Sequence, residues 1–328
     1  MREGDNPYRW GDKLHAYKMH HVIIPVHIPN ESGYYKSSLE VLRLCLESLR
    51  ATASGLVELT LISNASIEPV LEELQRVQRD FEGAQIVVNA VNRGKVDAAL
   101  SAARSSYAPL ITIADADVLF HSKWLSEVTN VFRMFPEAGF VSPSPNPTLA
   151  WRHTASTVVD GYARGWLKLQ KVVPDADLDR FANSVGNPHL FDGYRSKQLI
   201  MERSGARACV GSGHFVFTIR REVLGGTPTF PVLRTLNAED EWLDTPADAQ
   251  GFWRLATTSA FADHMGNVPE PWMEDAVTRL QKDPYTTSDL PLPRKHIAHH
   301  LPRPIRRLAA GLIRRRLPIR DEVARKTS

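Results

Sequence analysis

The chain has 328 residues, 43% of them apolar and 23% charged, with a formal net charge of +3. These values are those of an ordinary globular protein, long enough for one large α/β domain or two smaller ones. The charge is too small to argue for a nucleic-acid partner, and no run approaches the roughly 18 apolar residues of a membrane span.

Two cysteines, Cys45 and Cys209, sit far apart in apolar contexts. They read as buried thiols, not as a disulfide framework or a zinc site. The N-terminus lacks the apolar core of a signal peptide, which makes the cytoplasm the expected location, with the inner face of the membrane as an extension.

Residues 1–20 are polar and irregular and read as an arm. The run His21 to Pro29 is short and continuously apolar, as in a strand buried on both faces. Its two prolines predict that the chain leaves the sheet near Pro25. Leu39, Leu42, Leu46 and Leu49 recur at helical spacing, with Ser37 or Ser38 as cap. Leu59–Ile62 predicts a second strand, ending at Ser63 and Asn64. A second amphipathic helix follows over Ile67–Phe81. Gln85–Val88 predicts a third strand, followed by the turn Asn92-Arg93-Gly94-Lys95. Val96, Ala99, Leu100 and Ala103 form a third helical stripe.

The fourth strand is Leu110–Ala114, and it runs into Asp115-Ala116-Asp117. Alternate residues of an extended chain point to one side, so the two carboxylates face the same way. Carboxylate oxygens are what Mg²⁺ and Mn²⁺ take as ligands, usually shared with substrate phosphates. A further helix is predicted from Trp124 to Phe135. Four strand–helix units with short connections predict a mostly parallel sheet covered by helices. In such sheets ligands bind outside the carboxyl ends of the strands.

After Ser142 the alternation stops, and residues 144–206 show no clear period. Gly211-Ser212-Gly213-His214 reads as a hinge running into a strand through Ile219. Glu239 and Asp240 read as an acidic helix start capped by Asn237. Leu255–Phe261 is strand-like and leads to Asp263-His264. In the tail, Ile305, Leu308, Ala309, Leu312 and Ile313 fall on one helical face, and Arg306, Arg307, Arg314, Arg315 and Arg316 carry charge. Such a helix either docks on the domain or lies on an anionic membrane surface.

The opening Ile24-Pro25-Val26 strand, the Asn92-x-Gly94-Lys95 turn, Asp115-Ala116-Asp117, Gly211-Ser212-Gly213-His214, Glu239-Asp240 and the late His264 together resemble the glycosyltransferases of GT-A fold, family 2 in particular. The resemblance covers residues 20 to 270. It implies a Rossmann-like α/β sheet flanked by helices. The corresponding expectation is one domain over 21–270, with a nucleotide-sugar half at 21–145 and an acceptor half at 146–270. The arm at 1–20 and a basic tail at 271–328 flank it.

The same resemblance implies a metal-dependent hexosyltransferase of polysaccharide biosynthesis, moving a sugar from a nucleotide-diphospho sugar to an acceptor hydroxyl with inversion. Asp117, Asp115 and His264 would hold Mn²⁺ or Mg²⁺. Pro25, His27, Ser63, Asn64, Asn92, Gly94, Lys95, Asp115 and Ala116 would border the donor. Asp240, or else Glu239, would take the acceptor proton. Gly211, Ser212, Gly213 and Trp242 would border a glycan, lipid-linked or small-molecule acceptor. Many relatives place an acid that binds the uracil ring where this chain has Ser63 or Asn64, so the base stays open. A homodimer and membrane contact through the basic tail are further expected partners.

Two other readings compete. An apolar strand followed by Asp115-Ala116-Asp117 also fits an aspartyl-nucleophile phosphatase of the haloacid-dehalogenase type. The third reading is a glycosyltransferase-like scaffold that binds a partner without catalysis.

Overall fold

The computed structural model describes residues 4–5, 17–229, 238–285, 290–293 and 300–317. Asn237, most of the arm and much of the tail lie outside these residues. The first half follows the predicted alternation: β1 His20–Val26, α1 Ser38–Ala53, β2 Glu58–Asn64, α2 Glu68–Asp80, β3 Ala84–Asn89, α3 Lys95–Ser105 and β4 Leu110–Ala114. Then come β5 Val118–Phe120, α4 Trp124–Met134 and β6 Ala138–Ser142.

The aperiodic stretch resolves into α5 Ala155–Ala163, β7 Leu167–Gln170, α6 Asp175–Ser184, β8 Gln198–Arg203 and β9 Ala206–Val210. The chain continues through β10 Val216–Arg220, a π-helical turn Asp240–Asp244, α7 Thr245–Ala249, β11 Trp253–Ala256 and β12 Ala262–His264. Two helices follow, α8 Pro271–Thr278 and α9 Arg303–Arg316.

Ten strands form one sheet in the order β3-β2-β1-β4-β10-β6-β11-β9-β8-β7. The parallel expectation describes the β3-β2-β1-β4 half. Beyond it the sheet is mixed, because β10 enters antiparallel between β4 and β6 and β9-β8-β7 form an antiparallel meander.

The pleat sorts the core. Val22, Ile24 and Val26 of β1 join a cluster with α1 and α2, whereas Ile23 points to the opposite face and packs with Val96, Ala99 and Leu100 of α3. Ile111 and Ile113 of β4 join that second face. A third cluster holds α4, α5 and the second half of the sheet together with Ile313 of α9.

Two local expectations need correction, at Ser37 and over 255–261, while the one for the first strand holds: β1 ends at Val26, one residue past Pro25, with Pro25 still in register with Ile62 of β2. Pairing with β4 ends at Ile23, so Pro25 stands where β1 has one neighbour only and a missing N–H is tolerated. Ser37 occupies the cap position of α1 without a side-chain cap bond. Of the strand-like run 255–261 only Leu255 and Ala256 are extended, as the end of β11 in the large sheet; β12 begins just after the run, in a separate pair with β5.

Candidate active site

β4 delivers the Asp115-Ala116-Asp117 turn to the carboxyl rim. Two pairings fix what meets it. β10 runs antiparallel to β4 with Val216 opposite Ala114, and the Asp115 N–H donates to the Phe215 carbonyl at 2.7 Å. This brings residues 211–215 beside the two acids. β12 pairs with β5, His264 opposite Val118, and the Met265 N–H donates to the Asp117 carbonyl at 2.8 Å. His264 Nε2 thereby stands 3.4 Å from Asp117 Oδ2, while its Nδ1 meets Ser184 Oγ at 3.0 Å.

Asp117 Oδ1 is buried without a hydrogen-bond partner. Burial, and then repulsion from Asp115, push the Asp117 carboxyl up to about 6, against the pull of His264 and Lys95. An orphaned carboxylate oxygen beside an imidazole fits a divalent cation, since both are ligand types such ions accept. Asp115 is engaged differently: Lys95 Nζ lies 2.6 Å from its Oδ1, 3.3 Å from Glu239 Oε1, and donates to the His214 carbonyl at 2.6 Å. Burial works against the charge on Lys95, but the two carboxylates outweigh it and its pKa is raised. Lys95 thus ties the end of β4 to the Glu239–Asp240 segment.

The second strand's end is used for bracing. Asn64 Oδ1 accepts from Asn89 Nδ2 at 3.1 Å and from the Arg93 N–H at 3.0 Å. Its Nδ2 donates to Asn92 Oδ1 at 3.1 Å and to the Gly94 carbonyl at 3.4 Å. All four hydrogen-bonding positions of the amide are filled by protein. Asn64 and Asn92 therefore shape the turn that launches α3 at Gly94, where φ is +80°. Ser63 is buried. His27 Nδ1 meets the Asn64 carbonyl at 2.8 Å, and its ring faces Tyr35 edge-on with centroids 6.1 Å apart. A cleft of about 120 Å³ opens between His27, Tyr34, Tyr35, Asp115, Ala116 and Asp117. Pro25, near the end of β1, precedes His27 by two residues.

Across the rim, Gly211 has φ +104°, and a Cβ there would come within 2.9 Å of the Leu149 carbonyl group. Only glycine lets these backbones approach so closely. Ser212 is buried, and its carbonyl accepts from Arg254 Nη2 at 2.9 Å. A Cβ at Gly213 would meet nothing closer than 4.0 Å.

Asp240 opens the π-helical turn. Arg152 pairs with its Oδ2, His153 Nε2 lies 3.6 Å and His214 Nε2 4.0 Å from its Oδ1, and that Oδ1 is buried without a hydrogen bond. Trp242, two residues on, packs against the cluster under α3.

His214 is oriented from behind. Its Nε2 lies 2.6 Å from Asp244 Oδ2, and Arg254 Nη2 lies 2.7 Å from the same oxygen. Burial would raise the Asp244 carboxyl, but Arg254 and His214 outweigh it and hold it below the usual range. His214, Asp240 and Asp244 converge closely enough to hold a metal ion in principle. Two guanidiniums already offset the two carboxylates, so this group suits proton handling better than cation binding.

Of the residues nominated from the sequence, the structure pairs Asp117 with His264 and Asp115 with Lys95, and Lys95 reaches Glu239 beside Asp240. Sequence reasoning missed Tyr34, Tyr35, Arg152, His153, Asp244 and Arg254 as site residues. The Arg152-His153 step carried one legible oddity only after folding: His153 adopts φ +53°, a strained conformation for a non-glycine residue.

Comparison with known proteins gives three findings. The family model described as "Glycosyl transferase family 2" matches residues 22–180. Among solved structures, S. aureus TarS 1-349 is 10% identical with a TM-score of 0.43, over 74% of this chain and 60% of that chain. This chain therefore spans less than two thirds of that one. The mannosyltransferase PcManGT from Pyrobaculum calidifontis, in complex with GDP-Man and Mn²⁺, is 18% identical with a TM-score of 0.42, over 93% of this chain and 78% of that one. No curated protein sequence matches.

Proposed function

We propose a division of labour within a glycosyltransferase, since the chain carries a glycosyl transferase family 2 domain over residues 22–180. The donor is a nucleotide-diphospho sugar, lying along the rim from His27 and Tyr35 to Asp117. Asp117 and His264, with Asp115 beside them, hold a divalent cation. When bound, that ion supplies positive charge to the diphosphate as it departs. Asp240 Oδ1 accepts the proton of the acceptor hydroxyl. The hydroxyl oxygen bonds to the anomeric carbon as the bond to the diphosphate breaks, which inverts that centre.

Arg152 pairs with the other oxygen of Asp240, leaving Oδ1 to the acceptor. Lys95 positions Asp115 and Glu239 and thereby the two halves of the cleft. Asp240 is favoured over Glu239 as base because its Oδ1 is buried without a hydrogen bond, whereas Glu239 faces Lys95.

The observation that carries this reading is the meeting of Asp117 and His264, 147 positions apart in the sequence (264 − 117), through the β5–β12 pair. The family match weighs against the phosphatase alternative, and the buried, unbonded carboxylate oxygens of Asp117 and Asp240 favour catalysis over a binding scaffold.

The test is release of nucleoside diphosphate from UDP-, GDP- and dTDP-linked sugars with and without Mn²⁺. One nucleotide class should be turned over, and chelation should stop it. Asp240→Asn should lower turnover by about 100-fold or more while donor affinity stays within about threefold. Absence of release from every donor, or full activity in Asp117→Ala, refutes the reading.

A further inference from the structure

Helix α9 uses both of its sides. Its inner side seals the domain: Ile313 is buried, and Ala309 and Ala310 pack beside it against the cluster that includes α5. Arg306 points inward, where its guanidinium donates to Ser156 Oγ and the Asp248 carbonyl at 2.6 Å and to the Ala249 carbonyl at 2.9 Å. The predicted apolar face is therefore split. Ile305, Leu308 and Leu312 face outward, 50%, 68% and 53% exposed. At spacings of three and four they form one stripe.

Exposed arginines border that stripe. Arg307, Arg314 and Arg315 line a shallow depression with Leu308, Gly311 and Leu312. No acid occurs between Arg303 and Arg316, and among the described residues none of these three arginines has an acidic partner. Guanidinium favours phosphate oxygens, and a row of large aliphatic side chains favours an apolar phase.

We propose that the outer face of α9 lies on an anionic lipid bilayer, with Ile305, Leu308 and Leu312 in the interface and the arginines on headgroup phosphates. A second copy of the chain fits poorly, because a two-fold contact would set one all-basic helix against another. Arg306 rests on the start of α5, and the residues just before α5, Arg152 and His153, hold Asp240. The membrane contact stands independently of the transfer reading.

Vesicle flotation of the full chain without donor tests the contact. The protein should rise with phosphatidylcholine vesicles containing phosphatidylglycerol, stay behind with phosphatidylcholine alone, and detach as salt is raised. Arg307→Gln/Arg314→Gln/Arg315→Gln should weaken partitioning by roughly fivefold per arginine. Leu308→Ser/Leu312→Ser should weaken it by about tenfold or more, at an unchanged melting temperature. No flotation of the wild type, or equal flotation of the variants, overturns the proposal. So does a dimer in light scattering that the leucine variant abolishes, since it names a second copy as the occupant. Because no donor is present, failure here leaves the transfer chemistry standing, and loss of diphosphate release leaves the contact standing.

Discussion

Asp117 is an ionised group kept where ionisation is costly. Its folded-state value near 6 lies above that of a free aspartate, so the native chain holds the proton more tightly than the unfolded one. Stability therefore falls as pH rises from about 4 to about 6, and at neutral pH the charged carboxylate is a net cost. With 26% of the side chain still exposed, we take that cost as about 1 kcal/mol, well below the full shift. Asp117→Asn should thus raise the melting temperature of the metal-free protein by about 2 °C. The same variant should lose any stabilisation by Mn²⁺. A lowered melting temperature with an intact response to Mn²⁺ would show that Asp117 serves the fold and not a cation. The pair Asp115–Asp117 was legible from the sequence because a strand's two-residue repeat is local. The partners of each acid were not: Lys95 takes Asp115 and His264 takes Asp117 only after β10 and β12 are in place.

Among elements, β1 carries an acid-sensitive feature inside the parallel half of the sheet. His20 and His21 are buried, and their ring nitrogens meet Thr112 Oγ1 at 2.5 Å and Thr60 Oγ1 at 2.7 Å. Burial lowers His20 to about 3, helped by His21, and lowers His21 to about 4. Unfolding lets both rings bind protons near their ordinary value, so the stabilisation from neutral burial is complete above pH about 6.5 and drains as pH falls below it. The loss should approach about 1.4 kcal/mol per pH unit for each histidine. Chemical denaturation between pH 7 and 5 measures it. His20→Gln should flatten the slope by about half, and an unchanged slope would contradict the assignment.

The elements themselves were legible to different degrees. Each unit from β1 to α4 has its own apolar period, so local pattern sufficed. β7 is four residues with one buried position, and β8 and β9 bury neighbouring residues without alternation, so no period marked them. The π-helical turn at Asp240–Asp244 reads like any acidic helix start in the sequence. Only its fold reveals that Asp240 and Asp244 face the same histidine.

For the molecule as a whole, the division is between a parallel half that carries the residues proposed for the donor and a mixed half that brings those proposed for the acceptor to them. Family resemblance named the residues, but not their wiring. Asn64, read as a contact for the base, proved to brace the turn at 89–94, because nothing in a single strand end shows which amide positions are already filled. The tail, read as docked on the domain or as lying on a membrane, has a sealed side and an open one. No helix among the described residues is long and apolar enough to cross a membrane.

The central claim is that Asp117 and His264 hold a cation which in turn holds a diphosphate. Calorimetric titration with UDP and GDP, each with Mn²⁺ and with a chelator, tests it most directly. At least one nucleotide should bind about tenfold or more tightly with Mn²⁺, and His264→Ala should remove that gain while leaving the metal-free affinity unchanged. Equal affinity with and without Mn²⁺, or a gain that survives His264→Ala, would contradict the account.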